Sequence, residues 1–250
     1  MPKRKKKPDA LKSPAPVTVP KHWLRADYHF HVFHYRMPET VAIASVTPFV
    51  PSPLTVKMAL IASLLQNGDD ESAKKLAPLL PQIEVSIVPP PSAFSFKAFL
   101  RYRSVPAVES AGGLDETGSY YPSRPHTREY ALLEEGITLF LGLPDSSLLE
   151  VVKTALKNIR YLGCKDSLVT CLGVEEIGED EIEKASTVQP LQEGVSGGSV
   201  ILGADFESSA PLDLKNLIPG SRKEEHYRRL PFILPGKITV KGKSRIFRRD

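Results

Sequence analysis

Apolar and polar positions alternate with period two through "RADYHFHVFHYRM", Arg25 to Met37, which predicts a first β-strand. Tyr28, Phe30 and Val32 fall on one face, and His29, His31 and Phe33 on the other. The period then changes. Leu54, Met58, Ile61 and Leu65 recur at helical spacing, with Ser52 placed as a cap, Pro53 at the first helical position and Asn67-Gly68 beyond the last turn. "QIEVSIV", Gln82 to Val88, alternates again, and "PPPSA" breaks it. "FSFKAFLRYRSV" then predicts another strand. Phe94, Phe96, Ala98, Leu100 and Tyr102 share one of its faces; Lys97, Phe99, Arg101 and Arg103 share the other. An apolar lower face under a cationic upper one makes a platform as well as a wall.

Residues 105 to 127, "VPAVESAGGLDETGSYYPSRPHT", lose all periodicity. A structureless stretch of that length inside a domain points to a functional or mobile loop. "EYALLEEGITLFLGL" resumes as strand, or as a hairpin turning at Glu135-Gly136. A second helix starts near Ser146 and Ser147, with Ser147 and Glu150 spaced as a capping box. Leu148, Val151, Val152, Ala155, Leu156 and Ile159 form its buried face, and "SLVTCLGVEEI" closes the series as a strand. The plan is βαββαβ with an insertion. We therefore expect an α+β, ferredoxin-like domain over residues 23 to 177, with 105 to 127 as the inserted loop. Residues 1 to 22, rich in Lys and Pro, read as a disordered basic arm, and 178 to 250 as a small, strand-rich C-terminal extension.

The chain has 250 residues, 41% hydrophobic and 25% charged, enough for a sizeable core. Neither a long apolar span nor an apolar signal core after the basic N-terminus is present in the sequence, so a membrane protein or a secreted one is not expected and a cytoplasmic location is. Cys164 and Cys171 lack nearby histidines and read as thiols of a reducing compartment, so no metal and no cofactor is expected. The net charge of +4 hides an uneven distribution. Residues 3 to 7 are all Lys or Arg, and Gly220 to Asp250 holds ten Lys or Arg against three acids. Glu175 to Glu183 holds six acids and no base. Such asymmetry suggests a polyanion on one side and solvent or a basic neighbour on the other.

Three kinds of chemistry compete. "HFHVFH" offers His29, His31 and His34, but His34 points away from the other two and no carboxylate or thiol cluster completes a metal site. His31, Lys97, Tyr121 and His126 are residue types that a metal-independent ribonuclease uses, although any chain of this length supplies them. The third is a polyanion site. Arg36, Lys57, Lys97, Arg101, Arg103, Arg124, His126, Arg128, Arg160 and Lys165 lie on the strand faces, first helix and turns where phosphates can be gripped. Tyr120, Tyr121 and Tyr161 can stack on splayed bases, Gly163 lets backbone amides approach closely, and Ser167 adds a hydroxyl. Each cation alone is best read as a solvated surface group. Together, on one scaffold, they favour RNA.

Three motifs in order carry a resemblance. "NIRYLGCKDSL" resembles the glycine turn of the handle-capping RAMP subunits of type I CRISPR surveillance complexes, the "Cas five" family. "TPFVPSPLTVKMALIASLL" looks like that family's Pro-rich entry to a capped helix, and "TREYALLEEGITLFL" is similar to its "R-E-Y-L" strand. The likeness covers roughly residues 25 to 177; Cys164, Asp166 and the basic arm depart from the pattern. It implies a modified ferredoxin-like fold whose thumb is Val105 to Thr127, in a Cascade subunit that caps the 5′ handle of the crRNA. It further implies contacts with backbone and large subunits, and with target DNA through the complex. The reading is a non-catalytic RNA-binding subunit; the rival is a metal-independent endoribonuclease that processes precursor crRNA.

Overall fold

A computed structural model of the chain describes residues 22–35, 44–103, 123–192, 197–217 and 226–250, with backbone alone at 44–45, 100–103 and 123–126. In chain order its strands are β1 (His22–Phe30), β2 (Ala44–Ser45), β3 (Glu84–Val88), β4 (Ser92–Arg103), β5 (Ser123–Leu133), β6 (Ile137–Leu143), β7 (Val169–Ile177), β8 (Gln189–Pro190), β9 (Ser199–Phe206), β10 (Tyr227–Leu234), β11 (Lys237–Lys241) and β12 (Ser244–Arg248). The helices are α1 (Pro53–Gln66), α2 (Asp70–Leu76), α3 (Leu149–Lys157), α4 (Glu179–Glu183) and α5 (Leu214–Leu217). The result is a mixed α/β structure with few helices, whose sheets are antiparallel except for the short β2–β5 pair.

The central sheet has the order β3-β6-β1-β7, and every neighbouring pair is antiparallel. α1 follows its first strand and α3 its third. Leu24, Ala26, Tyr28 and Phe30 alternate inward along β1 and are at most 2% exposed. The Tyr28 hydroxyl donates to the Leu156 carbonyl at 2.6 Å, and Ser63 Oγ donates to the Ala155 carbonyl at 2.8 Å, so both helices are pinned at one point. Burying these apolar side chains is the main stabilising term, at roughly 1.5–3 kcal/mol for each large one.

Several expectations need correction. β1 ends at Phe30, and the chain crosses to β5, where Phe33 exchanges two 2.8 Å backbone bonds with Ala131. Phe33 is therefore fully buried instead of sharing an exposed face with His31. Pro53 starts α1 as expected, but Val56, Ala59, Leu60, Ile61 and Leu64 are the buried apolar positions, while Leu54, Met58 and Leu65 are only half-buried. The buried face is shifted from the expected stripe, and α1 packs against β9 as well as α2 and α3. α3 is preceded by a 3₁₀ turn capped by Asp145, whose carboxylate accepts the Ser147 N–H at 2.9 Å; the cap is not Ser147 itself.

The largest difference concerns pairing. β4 does not join the central sheet but enters a second one of order β11-β12-β4-β5-β2. β4 and β5 pair in register from Ala93↔Leu133 out to Arg103↔Ser123, which makes a long two-stranded arm. The turn at Glu135-Gly136 is not a hairpin of one sheet: it hands the chain from β5 in the second sheet to β6 in the central one. Gly136 (φ +86°) fits there because a Cβ would lie 2.0 Å from the Tyr28 carbonyl oxygen. The C-terminal strands also close onto this frame. β12 pairs with β4, and β9 and β10 form a third sheet with β8.

Candidate nucleic-acid interface

The glycine turn after α3 folds back on the segment that follows β1. Leu162 N–H donates to the Ser167 carbonyl at 3.1 Å, Ser167 N–H to the Cys164 carbonyl at 2.9 Å and Val169 N–H to the Arg160 carbonyl at 3.0 Å. Gly163 (φ +98°) lies against Tyr35, whose Cδ2 would be 3.0 Å from a Cβ at that position. Ser167 is fully buried. Its Oγ accepts the His34 N–H at 2.7 Å and donates to the His34 carbonyl. Ser167 and Gly163 thus hold the turn in place. Ser167 was expected on the binding surface; its burial withdraws it from direct contact.

Arg160 and Lys165 stand exposed on the turn. Tyr161 is half-buried and its hydroxyl accepts from Gln66 Nε2 at 3.2 Å. Asp166 forms an ion pair with Arg128 and accepts from the Tyr130 hydroxyl at 3.3 Å. That contact ties the turn to the foot of the β4–β5 arm. Along the arm, Lys97 is exposed and Phe99 is 71% exposed on the same face. Arg101 and Arg103 follow in register opposite Pro125 and Ser123, while Arg124 and His126 are opposite Tyr102 and Leu100. Arg36, Tyr120 and Tyr121 lie outside the described residues. Lys57 does not reach this surface. It is 1% exposed, and its Nζ donates to Asp205 at 2.7 Å, because α1 is covered by β9.

The orientation of β4 also differs from the simple platform. At its base Ala93 and Ser95 face the interior, while Phe94 is 45% exposed. The face that becomes cationic at Lys97 is therefore the one buried at the root of the arm. A polar network makes this possible. Glu129, 1% exposed, accepts from Arg245 Nε at 2.9 Å and Nη2 at 2.7 Å, from Ser95 Oγ at 2.6 Å and from the Thr47 N–H at 2.7 Å. Burial pushes this carboxyl up, but bonds from Arg245, Ser95 and Thr47 outweigh it and leave the group below the usual glutamate range. The Arg245 guanidinium also lies 4.8 Å from the centre of the Phe49 ring.

The histidines separate. His29 and His31 are exposed with ring centres 5.4 Å apart, and His31 Nε2 is 3.3 Å from Thr170 Oγ1. His34 is buried, its Nδ1 2.7 Å from the Glu129 carbonyl oxygen. Among the described residues no group of three His, Cys, Asp or Glu could hold a metal ion, and no helix is long and apolar enough to cross a membrane. Sequence reading passed over three features: Phe99 as a stacking group, and Glu129 and Arg245 as the base of the arm. Alternation marked Phe99. Nothing local marks two charges 116 residues apart.

No family model matches the chain. Over 229 residues it is 22% identical to the CRISPR-associated protein Cas5 of Archaeoglobus fulgidus, an alignment spanning 89% of this chain and 96% of that relative. The chain is similar in sequence to that Cas5 protein. Since it spans 89% of the chain, the likeness to Cas5 extends beyond the motif-bearing residues 25 to 177. Two solved structures align over most of the chain at a lower level. One is a CRISPR protein from Archaeoglobus fulgidus, with 11% identity, a TM-score of 0.41 and 92% of each chain covered. The other belongs to a CRISPR RNA-guided surveillance complex, with 13% identity, a TM-score of 0.41 and coverage of 85% of this chain and 88% of that one.

Proposed function

We propose that the chain is a non-catalytic, RNA-binding subunit of a type I CRISPR effector complex that caps the 5′ handle of the crRNA. The Cas5 likeness along 89% of the chain supports the CRISPR assignment. A modified ferredoxin-like domain with an inserted thumb is supported by the order β3-β6-β1-β7, with α1 between β1 and β3 and α3 between β6 and β7. On this reading the thumb is residues 105 to 127, of which 123 to 127 are the start of β5 and the rest lie outside the described residues. Partners on this reading are crRNA, backbone and large subunits, and target DNA through the assembly.

The observation that carries the proposal is the joint between turn and arm. Asp166 locks Arg128 and Tyr130 to the turn that displays Arg160 and Lys165, while Lys97 and Phe99, paired with Glu129 and Thr127, stand at the same level on the other face of the arm. Arg160 and Lys165 grip phosphates, while Tyr161 and Phe99 offer faces on which unstacked bases rest. Rigid turn geometry matters because ordering the site beforehand lowers the entropy cost of binding.

The test is fluorescence anisotropy with a labelled single-stranded RNA carrying the repeat-derived handle, titrated at several salt concentrations in EDTA. Saturable binding is expected, with log affinity falling against log salt by about 0.7 per phosphate contacted. Absence of salt-dependent binding, by the chain alone and by a reconstituted complex, would overturn the reading. Specific cleavage of repeat RNA in EDTA would favour the endoribonuclease instead.

A further inference from the structure

β4, β5, β11 and β12 share a sheet whose inner face closes on the core through Ala93, Leu133 and Phe247. An antiparallel sheet packed on one side normally turns polar side chains to solvent. Here the middle of the outer face is apolar. Ile246 is paired with Phe94, and Phe94 with Leu132, so the three stand side by side in one row. Phe94 is 45% exposed and Leu132 50%. Two residues farther along, Phe96 and Tyr130 stack on each other, with ring centres 5.9 Å apart and planes at 25°. Phe94 joins no ring pair among the described residues, so its ring is the one left for an outside group. An apolar patch of this kind marks an interaction site.

The same face carries Lys237 and Lys241 on β11 and Arg248 on β12, all exposed. None of them has an ion-pair partner among the described residues. Lys237 and Arg248 are directly opposite each other in the register, a like-charge pair that weakens the hairpin unless an anion sits between them. Asp166 is already neutralised by Arg128, and Glu134, at the β5 margin, accepts from Ser92 Oγ. Cations therefore remain in excess. Thr239, paired with Ile246, and Ser244, paired with Lys241, add hydroxyls to the face.

We propose that this outer face is a second site, for a single-stranded polynucleotide. Phosphates lie on Lys237, Arg248 and Lys241, a base rests on Phe94 beside Leu132 and Ile246, and the hydroxyls of Thr239 and Ser244 reach sugar or base edges. A protein would need an acidic rim around an apolar centre to fit here. A nucleic-acid strand carries evenly spaced anions and flat apolar rings on one chain. The site is distinct from the glycine turn. Ser92, the partner of Arg248, and Ala98, the partner of Arg128, are six residues apart on β4, about 20 Å. The proposal thus goes beyond the handle reading and does not rest on it.

The experiment follows fluorescence anisotropy of a labelled oligothymidylate of about twelve nucleotides, which carries no handle sequence, titrated with the full chain in EDTA at low salt. Saturable, salt-dependent binding is expected, and it should survive Arg160→Glu/Lys165→Glu. Lys237→Glu/Arg248→Glu should weaken it about tenfold or more and lower the salt slope by about 1.4. Phe94→Leu, which keeps an apolar side chain and removes the ring, should weaken it about fivefold or more. A parallel titration with oligouridylate separates the two sources of such a strand, RNA and displaced DNA; tighter binding of either by this face supports the proposal and names the occupant. No saturable binding of either polymer would overturn it. So would undiminished binding by Phe94→Leu, or loss on changing Arg160 and Lys165 alone, which would place the strand on the glycine turn and leave the handle reading standing. If sedimentation shows a dimer that Phe94→Ser converts to a monomer, a second copy covers the face and the proposal falls.

Discussion

Replacing Arg245 by Ala tests whether the polar network at the root of the arm holds the two sheets together. The substitution removes the contacts to Glu129 at 2.9 and 2.7 Å and the bond to the Thr47 carbonyl, and leaves a carboxylate that is 1% exposed. Breaking a buried ion pair from one side costs about 3–5 kcal/mol. Ser95 Oγ and the Thr47 N–H still reach Glu129, at 2.6 and 2.7 Å, so the lower end, about 3 kcal/mol, is expected. For a chain of this size that lowers Tm by roughly 6–12 °C. Urea and thermal unfolding followed by circular dichroism at neutral pH measure it. The pH dependence follows from sign. Glu129 titrates below its ordinary value in the folded chain, so its contribution is present above the unfolded pKa of about 4.3 and is lost as pH falls through the lower folded value. Arg245→Ala should flatten that part of the acid limb. The double variant Glu129→Gln/Arg245→Met should be less destabilised than the single one, because no charge is left buried. A loss below about 1 kcal/mol for Arg245→Ala, or strictly additive effects in the double variant, would refute the reasoning.

Gly163→Ala should lower the urea midpoint by the equivalent of about 1–2 kcal/mol, because an L residue at φ +98° is strained and its Cβ meets Tyr35. Ser167→Ala should cost about 1–3 kcal/mol by leaving the His34 N–H unsatisfied in the interior. Measured well below its own unfolding temperature, that variant should still bind handle RNA, since Ser167 supports the turn without touching solvent. Arg160→Glu/Lys165→Glu should do the reverse: stability changes by less than about 0.5 kcal/mol, while RNA affinity falls and the salt slope drops by about 1.4. Unchanged anisotropy titrations for that double variant would remove the turn from the interface.

Much of the frame was legible where one local rule governed. β1 and its buried Tyr28 and Phe30 came from period-two alternation, α1 from Ser52-Pro53 and Asn67-Gly68, and α3 from its apolar face. The failures share a cause. Alternation in β4 told that Phe94 and Ser95 face opposite ways, but not which side is interior. Phe94, the apolar one, is 45% exposed, while Ser95 is buried because Glu129 and Arg245 satisfy it. Lys57 looked like a free cation in a helix and is instead the buried partner of Asp205, 148 residues away. In the candidate site, Arg160 and Lys165 were readable as cations beside a glycine; their joining to Arg128 through Asp166 was not.

The amino-acid order by itself determined the middles of β1, α1, β3, β4 and α3 and where cations and carboxylates gather along the chain, since those depend on neighbours within a few positions. Tertiary structure alone decided which sheet each strand joins, which face of β4 turns inward and which charges are neutralised. Those outcomes depend on burial and on partners more than a hundred residues distant. A charge in water and the same charge under a strand differ by several kcal/mol, and no local pattern carries that difference.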